Sequence, residues 1–216
     1  MRFNQIASCF NVRGRFITLE GGEGVGKSTQ AARLAAAIRT RGLEVVETRE
    51  PGGSPGAEAI RALLLDGEAE RWSAEAEAML FAAARADHLA RTILPAIEAG
   101  RWVICDRFVD SSIAYQGVAG GLGEEAIRQL HAIGSRGLYP DRTLLLQLAD
   151  GGSRARARDS AGSDRIGGRE DLYHQQVVSA FAALARDEPT RIRVIDAEGS
   201  PDQVTERLVA AIEDYL

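Results

Sequence analysis

The stretch "GGEGVGKST" (residues 21–29) decides how this chain is read. Gly21, Gly26, Lys27 and Ser28 satisfy the spacing G-x-x-x-x-G-K-[ST], and the flanking sequence agrees with it. The run "RFITLE" (15–20) before the loop reads as a buried strand. The segment after it, "STQAARLAAAIRTRG" (28–42), places Ala31, Leu34, Ala35 and Ile38 on one helical face and stops at Gly42. A glycine-rich loop between a strand and a helix start points backbone N–H groups inward and adds the partial positive charge of the helix N-terminus. Such a loop cradles the phosphates of a nucleoside triphosphate, with the lysine reaching the outer phosphates and the serine hydroxyl on Mg²⁺. Glu23 is out of place in an anion cradle, because a carboxylate about 4 Å from a phosphate charge repels it by about 1 kcal/mol even in water. Its side chain is therefore expected to turn away from the triphosphate, toward a second substrate.

Outward from the loop, short apolar runs alternate with longer helical patterns. "LEVVET" (43–48), "RWVICD" (101–106), "RTLLLQLA" (142–149) and "RIRVIDA" (191–197) read as further strands, several of them apolar throughout as buried parallel strands are. Residues 57–66, 73–98, 123–136, 169–186 and 201–215 read as helices, with Pro95 kinking or shortening the second. The alternation predicts an α/β domain: a five-stranded parallel sheet with helices on both faces, built around the phosphate loop as in the P-loop NTPase fold. Two segments break the rhythm, "REPGGSPG" (49–56) and an arginine-rich stretch at 150–168, and both follow strands at the edge where open α/β sheets bind ligands. Residues 1–14 read as an N-terminal extension outside the fold, without the continuous apolar centre of a secretory signal, and 15–216 as one domain.

Composition narrows the function. A formal charge of -5 and a pI near 5.4 oppose general nucleic-acid binding. No apolar run approaches the roughly 20 residues of a membrane helix, so a cytoplasmic protein is expected. Cys9 and Cys105 match no metal or redox spacing, and Cys105 reads as a core thiol. Lys27 is the only lysine in the chain, which fits a point-charge role at the outer phosphates. With that lysine used, no Asn-Lys-x-Asp remains to read guanine. The third strand ends in Asp106 followed by Arg107 rather than a water-activating glutamate, which disfavours a hydrolytic motor. Asp106 is suited to hold Mg²⁺ together with Ser28, and Arg107 to grip a second phosphate group. Arg154, Arg158 and Arg165 lie in the Gly- and Ser-rich stretch as candidate catalytic cations for phosphoryl transfer, where charge must be brought to the transferring group. The residues point to phosphoryl transfer between two anionic substrates, with a small-molecule or nucleotide kinase and a non-catalytic nucleotide-binding regulator both left open.

From about Arg15 onward the chain resembles the bacterial thymidylate kinases of the nucleoside monophosphate kinase fold. The resemblance is carried by "FITLEGGEGVGKST" (16–29), "TREPGG" (48–53), "MLFAAAR" (79–85), "DRFVDSSIAYQG" (106–117) and "RARARDSAGSDR" (154–165). It implies transfer from ATP to dTMP with Mg²⁺, giving ADP and dTDP, in a cytosolic homodimer. ATP would lie on Gly21, Gly22, Glu23, Gly24, Val25, Gly26, Lys27, Ser28 and Thr29. In the acceptor site Phe81 would stack on thymine, Arg85 would contact base or phosphate, and Arg107 would hold the dTMP phosphate. Ser112 and Gln116 would bond the base edge, Tyr115 would crowd a ribose 2′ hydroxyl, and Arg49, Glu50 and Pro51 would line the pocket. Glu23 would meet the sugar hydroxyl and nearby arginines. Because Gly24 follows Glu23 and the lid at about 150–168 is rich in arginine, the chain is similar to the members that keep their catalytic arginine in the lid.

Overall fold

The structure is a computed structural model describing residues 13–68, 70–148, 165–167 and 169–216. Five parallel strands form one sheet in the order β2-β3-β1-β4-β5. They are β1 (Phe16–Gly21), β2 (Val45–Arg49), β3 (Trp102–Asp106), β4 (Arg142–Gln147) and β5 (Ile192–Asp196). All five were expected from their apolar runs, with β4 closing two residues earlier than the run suggests. Registers Leu19↔Asp106 and Arg49↔Asp106 bring the carboxyl ends of β1, β2 and β3 to one edge. Strand side chains alternate between faces, so each strand feeds two cores. Phe16, Val103, Cys105 and Leu145 face one core, while Ile17, Leu19, Ile104 and Leu144 face the other with Leu34 and Ile38 of α1 (Lys27–Arg39). Cys105 is the buried thiol expected; Cys9 and most of the 1–14 extension lie outside the described residues. Gly14 already belongs to the fold, its N–H donating to the Ile97 carbonyl.

Helix α2 (Pro55–Leu65) starts where Ser54 caps the Ala57 N–H and Pro55 presets the first turn. The helix expected over 73–98 is continuous but not uniform. It runs as α3 (Ala74–His88), widens to a π-helical turn at Leu89–Ile93, and resumes as α4 (Leu94–Glu98). The wide turn immediately precedes Pro95, which has no N–H to give a regular ladder. A further helix was not expected from the sequence: α5 (Val109–Ser112) continues as a π-helical turn over Ile113–Ala119. It is followed by α6 (Glu124–Ser135), α7 (Asp171–Asp187) and α8 (Pro201–Ala210). The last is shorter than the expected 201–215, leaving a single 3₁₀ turn at Glu213–Tyr215.

Candidate active site

At the end of β1 the chain turns sharply through the quoted loop into α1. The cap of that helix is Gly26, at φ 93°, and no side chain bonds the first-turn N–H groups. The first turn holds no acidic residue either, whereas α2, α3 and α6 begin with Glu58, Glu75 and Glu77, and Glu124 and Glu125. Those helices supply their own negative charge to the dipole; α1 leaves its N-terminal donors for an anion. Lys27 Nζ folds back on the loop, donating to the Gly22 carbonyl at 2.6 Å and the Gly21 carbonyl at 3.2 Å. Burial, with Arg107 nearby, pushes its ammonium down to about 7. An incoming polyphosphate would add to the countercharge of Asp106, Glu20 and Glu23 and favour the ammonium form.

Ser28 Oγ donates to Asp106 Oδ2 at 2.5 Å, while Asp106 Oδ1 is buried with no hydrogen-bond partner. A buried carboxylate oxygen left unpaired is costly and suits a hard cation. No group of three or more His, Cys, Asp or Glu side chains able to hold a metal occurs among the described residues. One carboxylate and one hydroxyl fit Mg²⁺, which keeps waters and takes phosphate oxygens to complete its shell.

Beside the loop lies a cleft into which the topology gathers distant residues. Glu23, Glu50, Pro51, Phe81, Arg85, Arg107, Ser112, Tyr115 and Gln116 all line it, together with Arg61, Leu65, Phe108, Ser111 and Ile166. Nine of the ten residues expected at the acceptor side are thus brought together. Arg49 is the exception: its exposed side chain pairs with Glu58 and is not among the lining residues. Glu23, from inside the phosphate loop, is among the residues that line this cleft.

Arg107 anchors the floor. Its backbone is in the left-handed region at φ 69°, a conformation that costs a non-glycine residue about 1–3 kcal/mol unless the surroundings hold it. They do: its N–H donates to the Leu19 carbonyl at 3.0 Å, and Nη1 donates to Ser111 Oγ at 3.0 Å and to the Gly21 carbonyl at 3.3 Å. Nη2 donates to Tyr115 Oη at 3.3 Å, with the guanidinium 5.0 Å from the centre of the Tyr115 ring. Under it Glu20, fully buried, accepts from the Phe108 N–H at 2.7 Å and from Ser111 Oγ at 2.6 Å. Burial and neighbouring Asp110 push the Glu20 carboxyl up to about 7, against the pull of Arg107.

The wall is a second buried network. Arg85 donates from Nε to Glu50 Oε2 at 2.8 Å and from Nη2 to Ser112 Oγ at 2.8 Å. His88 Nδ1 lies 3.0 Å from Glu50 Oε1, and its Nε2 lies 2.7 Å from Thr48 Oγ1. Gly53 closes the stack at φ +83°; a Cβ there would come within 2.3 Å of Thr48 Oγ1 and 2.4 Å of His88 Nε2. His88, fully buried in this network, has no recognisable motif in the sequence. Spacing held the missing signal. Glu77, Phe81, Arg85 and His88 recur at four, four and three residues, one face of α3.

Of the expected lid cations, Arg154 and Arg158 lie outside the described residues. Arg165 is buried, with Nε donating to the Leu64 carbonyl at 2.9 Å and Nη2 to Glu77 Oε2 at 2.5 Å. Its guanidinium is engaged in a structural ion pair here rather than held out toward a phosphate.

The sequence model of the family described as thymidylate kinase matches residues 19–208. A curated thymidylate kinase of Rhizorhabdus wittichii is 67% identical over 205 residues, covering 94% of this chain and 99% of that protein. One of a Bradyrhizobium species is 46% identical over 207 residues, covering 94% and 92%. The crystal structure of thymidylate kinase from Ehrlichia chaffeensis superposes with a TM-score of 0.77 at 30% identity, covering 93% of this chain and 99% of that one.

Proposed function

This chain belongs to the thymidylate kinase family, and from that premise we infer how its two-sided site performs the transfer. The enzyme phosphorylates dTMP to dTDP with ATP as donor. The observation that carries the reading of the site is the shared wall: Glu23, inside the phosphate loop, lines the same cleft as Phe81, Arg85, Arg107 and Gln116. Donor and acceptor phosphates therefore meet at the loop.

ATP lies on residues 21–29, its phosphates against the loop N–H groups and Lys27. Ser28 and Asp106 would hold Mg²⁺, which neutralises charge on the phosphate oxygens. In the cleft Phe81 packs on the thymine ring, Arg85 and Gln116 meet its polar edge, and Tyr115 fills the space a ribose 2′ hydroxyl would need. Glu23 accepts from the sugar hydroxyl, and Arg107 holds the dTMP phosphate so that one of its oxygens attacks the γ-phosphorus in line while ADP leaves. Arg154 and Arg158 supply positive charge to the transferring group, while Arg165, pinned by Glu77, ties down the end of the lid. The enzyme works in the cytosol as a homodimer; among the described residues no helix is long and apolar enough to cross a membrane.

The test is an ADP-release assay with ATP, Mg²⁺ and a panel of dTMP, dUMP, dCMP, CMP and AMP. dTMP is expected to give the highest kcat/KM. Equal turnover of CMP or AMP would overturn the acceptor assignment, and absence of any transfer would point instead to a regulator.

A further inference from the structure

Glu77 does not line the acceptor cleft, but it holds a residue that does. It lies on α3 one turn before Phe81 and is 2% exposed. Gln116, 3% exposed, donates from Nε2 to Glu77 Oε1 at 3.0 Å. Arg165 and Arg169 donate to the other oxygen, Oε2, at 2.5 and 2.6 Å.

A carboxylate facing two guanidiniums offers acceptors only, so the amide can meet it only with its NH₂ end. No other side-chain bond to the Gln116 amide is formed among the described residues. Its carbonyl oxygen is the end left for the cleft. An unrestrained glutamine could rotate and present either end; this one cannot without setting a carbonyl against a carboxylate in a buried site, where an unmet polar group is expensive.

We propose that Glu77 is a positioning residue for base specificity: by fixing the Gln116 amide it makes position 116 a permanent acceptor. A fixed acceptor matches a pyrimidine carrying N–H at N3, as thymine and uracil do, and opposes one with a lone pair there, as cytosine has. Arg169, which bonds Glu77 from beyond the lid, belongs to the same device. The inference rests on the acceptor cleft proposed above and adds the source of its hydrogen-bond polarity.

The test compares kcat/KM for dTMP, dUMP and dCMP in the wild type, Glu77→Gln, Gln116→Met and the double variant. Glu77→Gln can accept or donate, so it releases the Gln116 amide. The dTMP:dCMP ratio should fall about tenfold or more, the size expected when a buried polar mismatch is relieved. The dTMP:dUMP ratio should stay within about twofold, since both bases carry N3–H; general damage to the cleft has no reason to spare one ratio. In the Gln116→Met background, Glu77→Gln should change neither ratio further, because its effect passes through the amide. An unchanged dTMP:dCMP ratio in Glu77→Gln overturns the proposal while a dTMP-preferring wild type keeps the acceptor assignment intact. A wild type indifferent to the base overturns that assignment instead. Should Glu77→Gln not fold, the wild type decides: with ¹⁵N-glutamine labelling, the Gln116 side-chain N–H signals, identified by their loss in Gln116→Met, should exchange slowly with solvent before dTMP is added. Fast exchange there would show the amide unrestrained and refute the proposal.

Discussion

The two halves of the site are built by different means. The donor half is one unbroken run, residues 21–29, whose working atoms are mostly backbone N–H groups and a single lysine. The proposed acceptor half draws side chains from the loop after β2, from α2 and α3, from the turn after β3, and from the helix that follows that turn. Those side chains are held by buried polar networks: Glu50 between Arg85 and His88, and Glu77 between Arg165 and Arg169. A triphosphate can be recognised by geometry that any backbone supplies, whereas a particular base needs individually aimed donors and acceptors.

Four experiments bear on that contrast. If the lid supplies charge only to the transferring group, Arg154→Ala combined with Arg158→Ala should lower kcat by about 10³-fold while leaving dTMP affinity unchanged, as for a mobile catalytic arginine. Unaltered turnover would remove the lid from the mechanism. Lys27→Met belongs wholly to the donor half and should cost kcat about 10²- to 10³-fold. Measured by calorimetry without ATP, its dTMP affinity should match the wild type; an equal loss there would mean the halves are not separable. Arg107→Ala should act on the other side, weakening dTMP about 10- to 100-fold through lost charge-assisted hydrogen bonds. ATP affinity, read in the same titrations, is the control, and a matching loss of ATP would show that Arg107 serves the donor.

The smallest effect comes from Glu20 beneath the floor. Its carboxyl is raised to about 7 by burial and by Asp110, opposed by Arg107 and by the bonds from Ser111 and the Phe108 N–H. A raised carboxyl contributes stability in full below its unfolded pKa, near 4.5, and loses that contribution as pH rises through about 7. Glu20→Gln lacks this titration. Denaturant melts should therefore show the variant gaining on the wild type by about 1–2 kcal/mol between about pH 5.5 and 7. A constant gap would show that Glu20 is ionised throughout.

What could be read from the sequence followed the same division. The strands announced themselves as short apolar runs, and the phosphate loop as a spacing with a strand before it and a helix after. Apart from Glu23 and Arg107, the acceptor residues had no such local signature and came from resemblance. Residues 109–119 show why. Positions 108–117 are all buried, so the segment has no polar face and no amphipathic period, and its helix went unseen although it carries Ser112, Tyr115 and Gln116. Glu77 and His88 were overlooked for a related reason. The place of a buried polar side chain is set by partners far away in sequence, and only their shared spacing with Phe81 and Arg85 on α3 could have exposed them.

Gly53 sets the mechanical tolerance of this wall. A single methyl group there would sit inside contact distance of both Thr48 and His88. His88 braces Glu50, and Glu50 braces Arg85, so the displacement would be passed from one rigid part to the next until it reached the Arg85 guanidinium, which is proposed to meet the base. Gly53→Ala adds no charge and removes no donor, yet it should detune the acceptor side while the phosphate loop stays as it was. In the proposed site, the precision of thymine recognition would thus depend on a clearance about the width of one carbon atom, at a residue that does not line the cleft.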